Sequence, residues 1–256
     1  NIARNNNVLV DLPDKSRKFH KRPTPLTGGI AIFISLLISG KIYIDINELN
    51  DFIPLFSKML FVASFFIIII FLIDDNKGIK PAYRLIAQIA ATYLVIHSTG
   101  IYLENLGDLF GFGEIYLGVY GIPITIFCVV GVMNAFNMID GINGLCAGSA
   151  LVMMLFTGVA SGFIFDSMLV LLIGSMAGFL VFNLRVMGKK RAVFLGDHGS
   201  NFIGFLVAWI AIHCSQMGSY SINPMTIVWF IAIPLLDCIG LIISRTLKGL
   251  SWAAPG

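Results

Sequence analysis

Of the 256 residues, 57% are hydrophobic and only 12% are charged, about half the charged share usual in a soluble chain. So little charge cannot cover a water-facing surface, which excludes an ordinary soluble domain. The formal net charge of +3 says little by itself, and no nucleic acid is expected as a partner.

In chain order, a polar segment over residues 1–26 comes first. Eight predicted membrane spans follow, at about 27–44, 56–73, 82–98, 122–137, 143–164, 166–184, 200–218 and 224–247. Pro81, Pro123 and Pro224 sit near span starts, where a missing N–H costs least. Pro234 lies inside the last span and is expected to kink it. Between the third and fourth spans, residues 99–121 carry Gly107, Gly111, Gly113, Gly118 and Gly121 among aromatics and read as a small hairpin or loop. Its acids, Glu104, Asp108 and Glu114, read as solvated. Cys128, Cys146, Cys214 and Cys238 lie far apart, in or beside apolar runs. They read as buried small residues rather than a zinc site or disulfide framework. No signal peptide, internal repeat or low-complexity segment is read. The expected fold is an all-α, polytopic transmembrane bundle forming a single domain over 1–256.

Eight spans alternate the loops between two sides, and the basic residues choose one. Fifteen of the seventeen Lys and Arg fall on the side of 1–26, 74–81, 138–142, 185–199 and 248–256; only Lys41 and Lys58 fall opposite. The positive-inside rule makes that side cytoplasmic and the 99–121 hairpin extracytoplasmic.

The conspicuous acids gather on the same side. Asp74 and Asp75 end the second span, Asp140 follows the fourth, and Asp197 precedes the seventh. Ionisable groups at membrane helix ends are costly unless wet, paired or bound to a cation. Adjacent carboxylates repel, and a divalent cation with oxygen ligands such as Mg²⁺ relieves that repulsion. The alternative is a set of loop acids facing water. Gly196 and Gly199 flank Asp197, with Ser200 or Asn201 expected to cap the next span; the free N–H groups at that helix end offer an anion site. Gly28-Gly29 and Gly141/Gly144 open other spans, as anion sites or as close helix packing. Lys77, Lys80, Arg84, Lys189, Lys190 and Arg191 are candidate phosphate contacts or positive-inside anchors. The residues alone thus suggest a Mg²⁺ and phosphate site at the membrane surface, suited to phosphoryl transfer between a soluble and a lipid substrate. The rival is a transporter or channel with a cytoplasmic-side cation site. Transporters, however, place charges near the midplane, and Asp237 is the one acid well inside a span, read as a helix–helix contact. A further rival is a catalytically dead membrane scaffold.

Four blocks carry a resemblance. They are Asp11-Leu-Pro-Asp-Lys-Ser-Arg17-Lys18-Phe-His20 with Pro23-Thr-Pro-Leu-Thr-Gly28-Gly29, then Asp74-Asp75, then Asn134-Ala-Phe-Asn137-Met-Ile-Asp140-Gly141-Ile-Asn143-Gly144-Leu, and Phe194-Leu-Gly196-Asp197-His198-Gly199-Ser200. In this order, over about 11–250, they resemble the polyprenyl-phosphate N-acetylhexosamine-1-phosphate transferases (glycosyltransferase family 4). The wording around Asp140 is similar to the undecaprenyl-phosphate N-acetylglucosaminyl-1-phosphate branch.

The resemblance implies transfer of a sugar 1-phosphate, GlcNAc 1-phosphate as the best match, from a UDP-N-acetylhexosamine to undecaprenyl phosphate. UMP is released, Mg²⁺ (Mn²⁺ as its alternative) is the cofactor, and the reaction begins a cell-envelope polysaccharide. It implies a bacterial inner-membrane location with the site facing the cytoplasm, and leaves a homodimer open. By residue, it implies Asp197 as metal ligand and Asp74 binding or deprotonating the lipid phosphate, with Asp75 beside it. Asn137 and Asp140 would shape the nucleotide and metal site, Phe194 would stack on uracil with Asn143 near the base, and Arg84 would be the basic residue following the Asp pair. Gly196 and Ser200 would contact substrate. The chain departs from the family at His198, where members usually carry a small residue. It also lacks the family's opening span and its later loop with a His cluster, so it reads as truncated at both ends and is expected to be impaired if complete.

Overall fold

The computed structural model describes residues 9–11, 23–47, 55–108, 111–161, 167–217 and 222–249. Among them one short antiparallel pair, β1 (Val10–Asp11) and β2 (Thr24–Pro25), sets Val10 opposite Pro25. The rest is helical: α1 (Gly28–Ile46), α2 (Leu55–Lys77), α3 (Pro81–Thr99), α4 (Gly121–Ile139), α5 (Leu145–Ala160), α6 (Ser167–Asn183), α7 (Asp197–Gln216), α8 (Pro224–Phe230) and α9 (Ala232–Leu247).

Each predicted span meets a helix, but eight full crossings do not follow. Gly28–Ile46, Leu55–Lys77 and the stretch Gly118–Ile139 are long and apolar enough to cross a membrane; the bent pair α8–α9 makes a fourth if taken as one span. The helices α5 and α6 have 16 and 17 residues. At about 1.5 Å per residue that is roughly 25 Å, short of a hydrocarbon core of about 30 Å.

The last predicted span is corrected most. Its two helices meet at a bend of 72°. Pro234 stands in the first turn of α9, has no N–H to offer the Phe230 carbonyl and crowds it, so α8 ends at Phe230. The side chain of Asn223 caps α8 by accepting from the Met225 N–H at 2.9 Å. Asp237 is exposed on α9, which does not support its reading as a buried helix–helix contact.

At the centre runs α7, packed against α1, α2, α4 and α5. Sixteen of its 20 residues are buried, so it faces protein on every side rather than lipid. That position explains how an apolar bundle tolerates His198, Ser200, Asn201 and Trp209 in one helix. The crossing of α1 and α7 is made by backbone. A Cβ on Gly29 would lie 2.4 Å from Gly199 Cα and 2.7 Å from His198 Cδ2, so α1 carries no side chain there. Large apolar side chains such as Ile38, Phe65, Phe66, Phe127, Phe156 and Val159 stand exposed on the outer helices. Such a belt is a liability in water and the expected surface toward lipid.

At one end of the bundle the predicted hairpin is present. Leu106 N–H donates to Ile115 O, Ile115 N–H to Gly107 O and Leu117 N–H to Glu104 O. Gln216, ending α7, ties it down: its side-chain oxygen accepts from the Glu104 and Asn105 N–H groups. The hairpin acids are not simply solvated. Glu114 accepts from Tyr116 Oη at 2.6 Å and Asn105 Nδ2 at 3.0 Å, and Asp108 accepts from Gly111 N at 2.6 Å.

Candidate functional site

The opposite end gathers the starts of α1, α3, α5 and α7 and the ends of α2, α4 and α6. The helix α2 runs past its apolar stretch to Lys77, so Asp74 and Asp75 lie on its last turns rather than beyond them. Successive residues on a helix point about 100° apart, and the pair diverges accordingly. Asp74 is buried. Its Oδ1 accepts from Ile79 N at 2.6 Å, closing the α2–α3 turn, and its Oδ2 faces Arg84 Nη1 at 3.0 Å. Arg84, in the first turn of α3, also reaches Asp197 Oδ2 at 3.5 Å. One guanidinium thus joins acids from α2 and α7.

Asp75 turns the other way, into the start of α7. Its Oδ1 accepts from Asp197 N at 3.0 Å, and its Oδ2 accepts from His198 N at 3.2 Å and lies 2.5 Å from His198 Nδ1. This corrects two expectations. Asp74 and Asp75 do not share one cation, because they face different partners. The N-cap of α7 is Gly196, at φ +79°, and neither Ser200 nor Asn201 caps the helix. The N–H groups expected to seat an external anion instead hold an internal one, the carboxylate of Asp75. A carboxylate at a helix amino end is favoured both by the unpaired N–H groups and by the helix dipole.

Ser200 and Asn201 serve other contacts. Ser200 Oγ donates to Asn137 Oδ1 at 2.7 Å, joining α7 to the last turn of α4. Asn201 Nδ2 donates to the Asp197 carbonyl at 2.9 Å, while its Oδ1 accepts from Gln88 Nε2 at 2.7 Å. Gln88 Oε1 in turn accepts from Asn134 Nδ2 at 3.1 Å. The chain of amides therefore runs through α3, α4 and α7 and ends on the residue that carries the acid.

Asp140 sits just past α4, half-buried. Burial, then the charges of Asp197 and Asp75, pushes its carboxyl well above the usual carboxylate range. That repulsion brings Asp140 into the same electrostatic cluster. Asn143 is exposed on the turn before α5, with no hydrogen bond among the described residues drawing it to the acids. Phe194 is half-buried and held by its backbone: its N–H donates to Pro25 O at 2.9 Å and its carbonyl accepts from Gly28 N at 3.0 Å. Residues 12–22, with Arg17, Lys18 and His20, lie outside the described residues.

Two further residues complete the scaffold. Asn183, buried at the end of α6, accepts from Gly144 N at 2.6 Å and donates to Val193 O at 2.9 Å. It ties the Asp140–Gly144 turn to the Phe194 loop. Gln88 breaks the run Leu85-Ile-Ala-Gln-Ile-Ala-Ala91, and a polar residue there is a signal for function inside a membrane helix. Asn183 ends an apolar span and carries no such signal.

Whether the residues suit a divalent cation is decided by the donor set. Among the described residues no three His, Cys, Asp or Glu converge on one point, so no all-protein cage forms. Mg²⁺ is usually held by one or two carboxylates, with substrate phosphates and waters completing the shell. Asp197, with Asp74 across Arg84 and Asp140 nearby, offers hard oxygens in excess of the local positive charge, which fits that mode.

Comparison with known proteins agrees with the family resemblance. The undecaprenyl-phosphate alpha-N-acetylglucosaminyl 1-phosphate transferase of Yersinia pestis is 34% identical over 99% of this chain and 69% of its own length. That of Escherichia coli K12 is 34% identical over 96% of this chain and 66% of its length. That of Haemophilus influenzae is 36% identical over 96% of this chain and 69% of its length. The chain spans about two thirds of the length of these relatives. Residues 57–215, which run from α2 to α7 and so contain every acid of the cluster, match glycosyl transferase family 4. A family match over most of the chain, together with relatives 34–36% identical over nearly all of it, leads to one conclusion: the chain belongs to glycosyl transferase family 4.

Proposed function

We propose that this protein transfers GlcNAc 1-phosphate from UDP-GlcNAc to undecaprenyl phosphate and releases UMP, as the first membrane step of a cell-envelope polysaccharide. The observation that carries the reading is the junction of Asp74, Arg84 and Asp197, drawn from three helix ends in a protein with a lipid-facing exterior. The relatives' names supply undecaprenyl phosphate and the N-acetylglucosaminyl 1-phosphate group. The bundle is read as a multi-pass protein of a bacterial inner membrane, with this end toward the cytoplasm, where nucleotide sugars are made.

In the proposed reaction an oxygen of the lipid phosphate attacks the sugar-bound phosphorus of the UDP-sugar in line. A new P–O–P link forms, the phosphoanhydride bond to UMP breaks, and UMP leaves with the bonding electrons. All the reacting groups are anionic, so neutralisation and positioning are the catalytic work. Asp197 would hold a Mg²⁺ ion, and that ion would supply charge neutralisation for the diphosphate. Arg84 lies between Asp74 and Asp197 and faces the incoming phosphate. Asp74 orients Arg84 and takes any proton the lipid phosphate brings. Asp75 acts on α7 rather than on substrate. Asn137 and Asp140 form the wall toward α4, and Phe194 and Asn143, on adjacent loops, are assigned to the nucleotide. Ser200 serves this wall through Asn137, and Gly196 keeps the loop clear.

The test is UMP release by the purified protein with UDP-GlcNAc, undecaprenyl phosphate and Mg²⁺. Release is expected, with at least about a hundredfold loss on Asp197→Asn. No release with UDP-GlcNAc or any other UDP-N-acetylhexosamine ends the reading.

A further inference from the structure

His198 lies in the first turn of α7 and is fully buried. Its Nδ1 meets Asp75 Oδ2 at 2.5 Å, while its Nε2 has no hydrogen-bond partner among the described residues. Both Asp75 oxygens accept backbone N–H groups, and Nδ1 is assigned as a third donor to them. The same carboxylate accepts from the N–H groups of Asp197 and His198. Three donors from one turn therefore converge on a single side chain from another helix.

The space around the ring is matched to it. A Cβ on Gly29 would stand 2.7 Å from Cδ2, and a Cβ on Gly196 would stand 2.8 Å from both Cε1 and Nδ1. The imidazole fills a slot left by two glycines from α1 and from the loop before α7. A small residue at 198 would leave a void there and remove one of the three donors to Asp75.

We propose that His198 is a positioning residue of this transferase: it locks the Asp75 carboxylate onto the start of α7, and so holds the Asp197 peptide at a fixed distance from Arg84. The proposal rests on the functional reading above only for its kinetic consequence. Asp197 itself is about half exposed at its side chain and is reached by Arg84 at 3.5 Å, so its place depends on how firmly its backbone is held. Asp75 holds that backbone through Asp197 N, and His198 holds Asp75.

Two substitutions separate positioning from packing. H198L keeps bulk and loses the donor; H198N keeps an N–H near the position of Nδ1. Amide hydrogen exchange of the 194–200 segment, measured on the purified protein without substrate, is expected to be about tenfold faster in H198L and within about twofold of the unsubstituted protein in H198N. The Mg²⁺ concentration for half-maximal UMP release is expected to rise about tenfold in H198L, with a smaller change in KM for UDP-GlcNAc, and to recover in H198N. If H198L does not fold, H198A replaces it with the same expectation. Equal exchange and equal Mg²⁺ dependence in H198L and the unsubstituted protein would overturn the proposal. So would H198N proving as impaired as H198L. If the unsubstituted protein releases no UMP, the proposed reaction fails, while the exchange measurement still decides the role of His198.

Discussion

Gly29→Ala tests whether the α1–α7 crossing sets the position of the acid cluster. The added Cβ would meet Gly199 Cα at 2.4 Å and Gly199 N at 2.8 Å. Non-bonded carbons rest at about 3.5–4.0 Å, so one helix must shift by about 1 Å. The obstacle is backbone, and no rotamer change relieves it. Overpacking of this kind costs about 1–3 kcal/mol. The first turn of α7 carries Asp197, and a misplacement of about 1 Å at a reacting centre costs about a hundredfold in rate. Gly40→Ala is the control: it lies in the same helix with nothing within 4 Å of its Cβ, and is expected to gain about 0.5–1 kcal/mol. The assays are thermal unfolding and UMP release in one detergent. Gly29→Ala with an unchanged melting temperature and turnover within about twofold would refute the reasoning.

Arg84→Gln leaves Asp74 and Asp197 without the cation between them, and is expected to cost about 1–3 kcal/mol. Thermal unfolding reads the stability, and UMP release should fall to background. Asn183→Leu removes the acceptor of Gly144 N and the donor to Val193 O. Stranding those groups costs about 1–3 kcal/mol each where water cannot reach them, and an unchanged melting temperature would count against the tie between the two loops. Asp140 has a folded-state pKa raised above its unfolded value, so ionising it weakens the fold. Its neutral form is the favoured one, and the resulting stability is lost as pH rises through the raised value. Without divalent cation, Asp140→Asn is therefore expected to melt higher than the unsubstituted protein at alkaline pH. The gap should close on acidification. A gap of opposite sign, or one independent of pH, would show that Asp140 is not held among like charges.

Much of the architecture was legible in local pattern. Apolar runs located the helices within a few residues, because lipid and protein interior both demand continuous apolar length. Pro234 announced the break before α9, since a missing N–H acts on its own helix whatever surrounds it. Number of crossings was less legible: α5 and α6 read as spans by composition, yet their lengths are decided by where turns at 140–144 and 184–188 stop them.

The acids followed the same division. Composition, charge asymmetry and the motif blocks alone determined that Asp74, Asp75, Asp140 and Asp197 sit at helix ends on one side, because helix ends and loop charges are local features. Only the tertiary structure decided what each acid faces. Asp74 turns to Arg84, while its neighbour Asp75 caps a helix 122 residues away. Adjacent helical positions diverge by about 100°, and which of the two meets α7 depends on how α2 packs against it. The expected anion seat at the start of α7 was misread for the same reason: a helix end shows its open N–H groups in sequence, and only packing shows the carboxylate that already fills them.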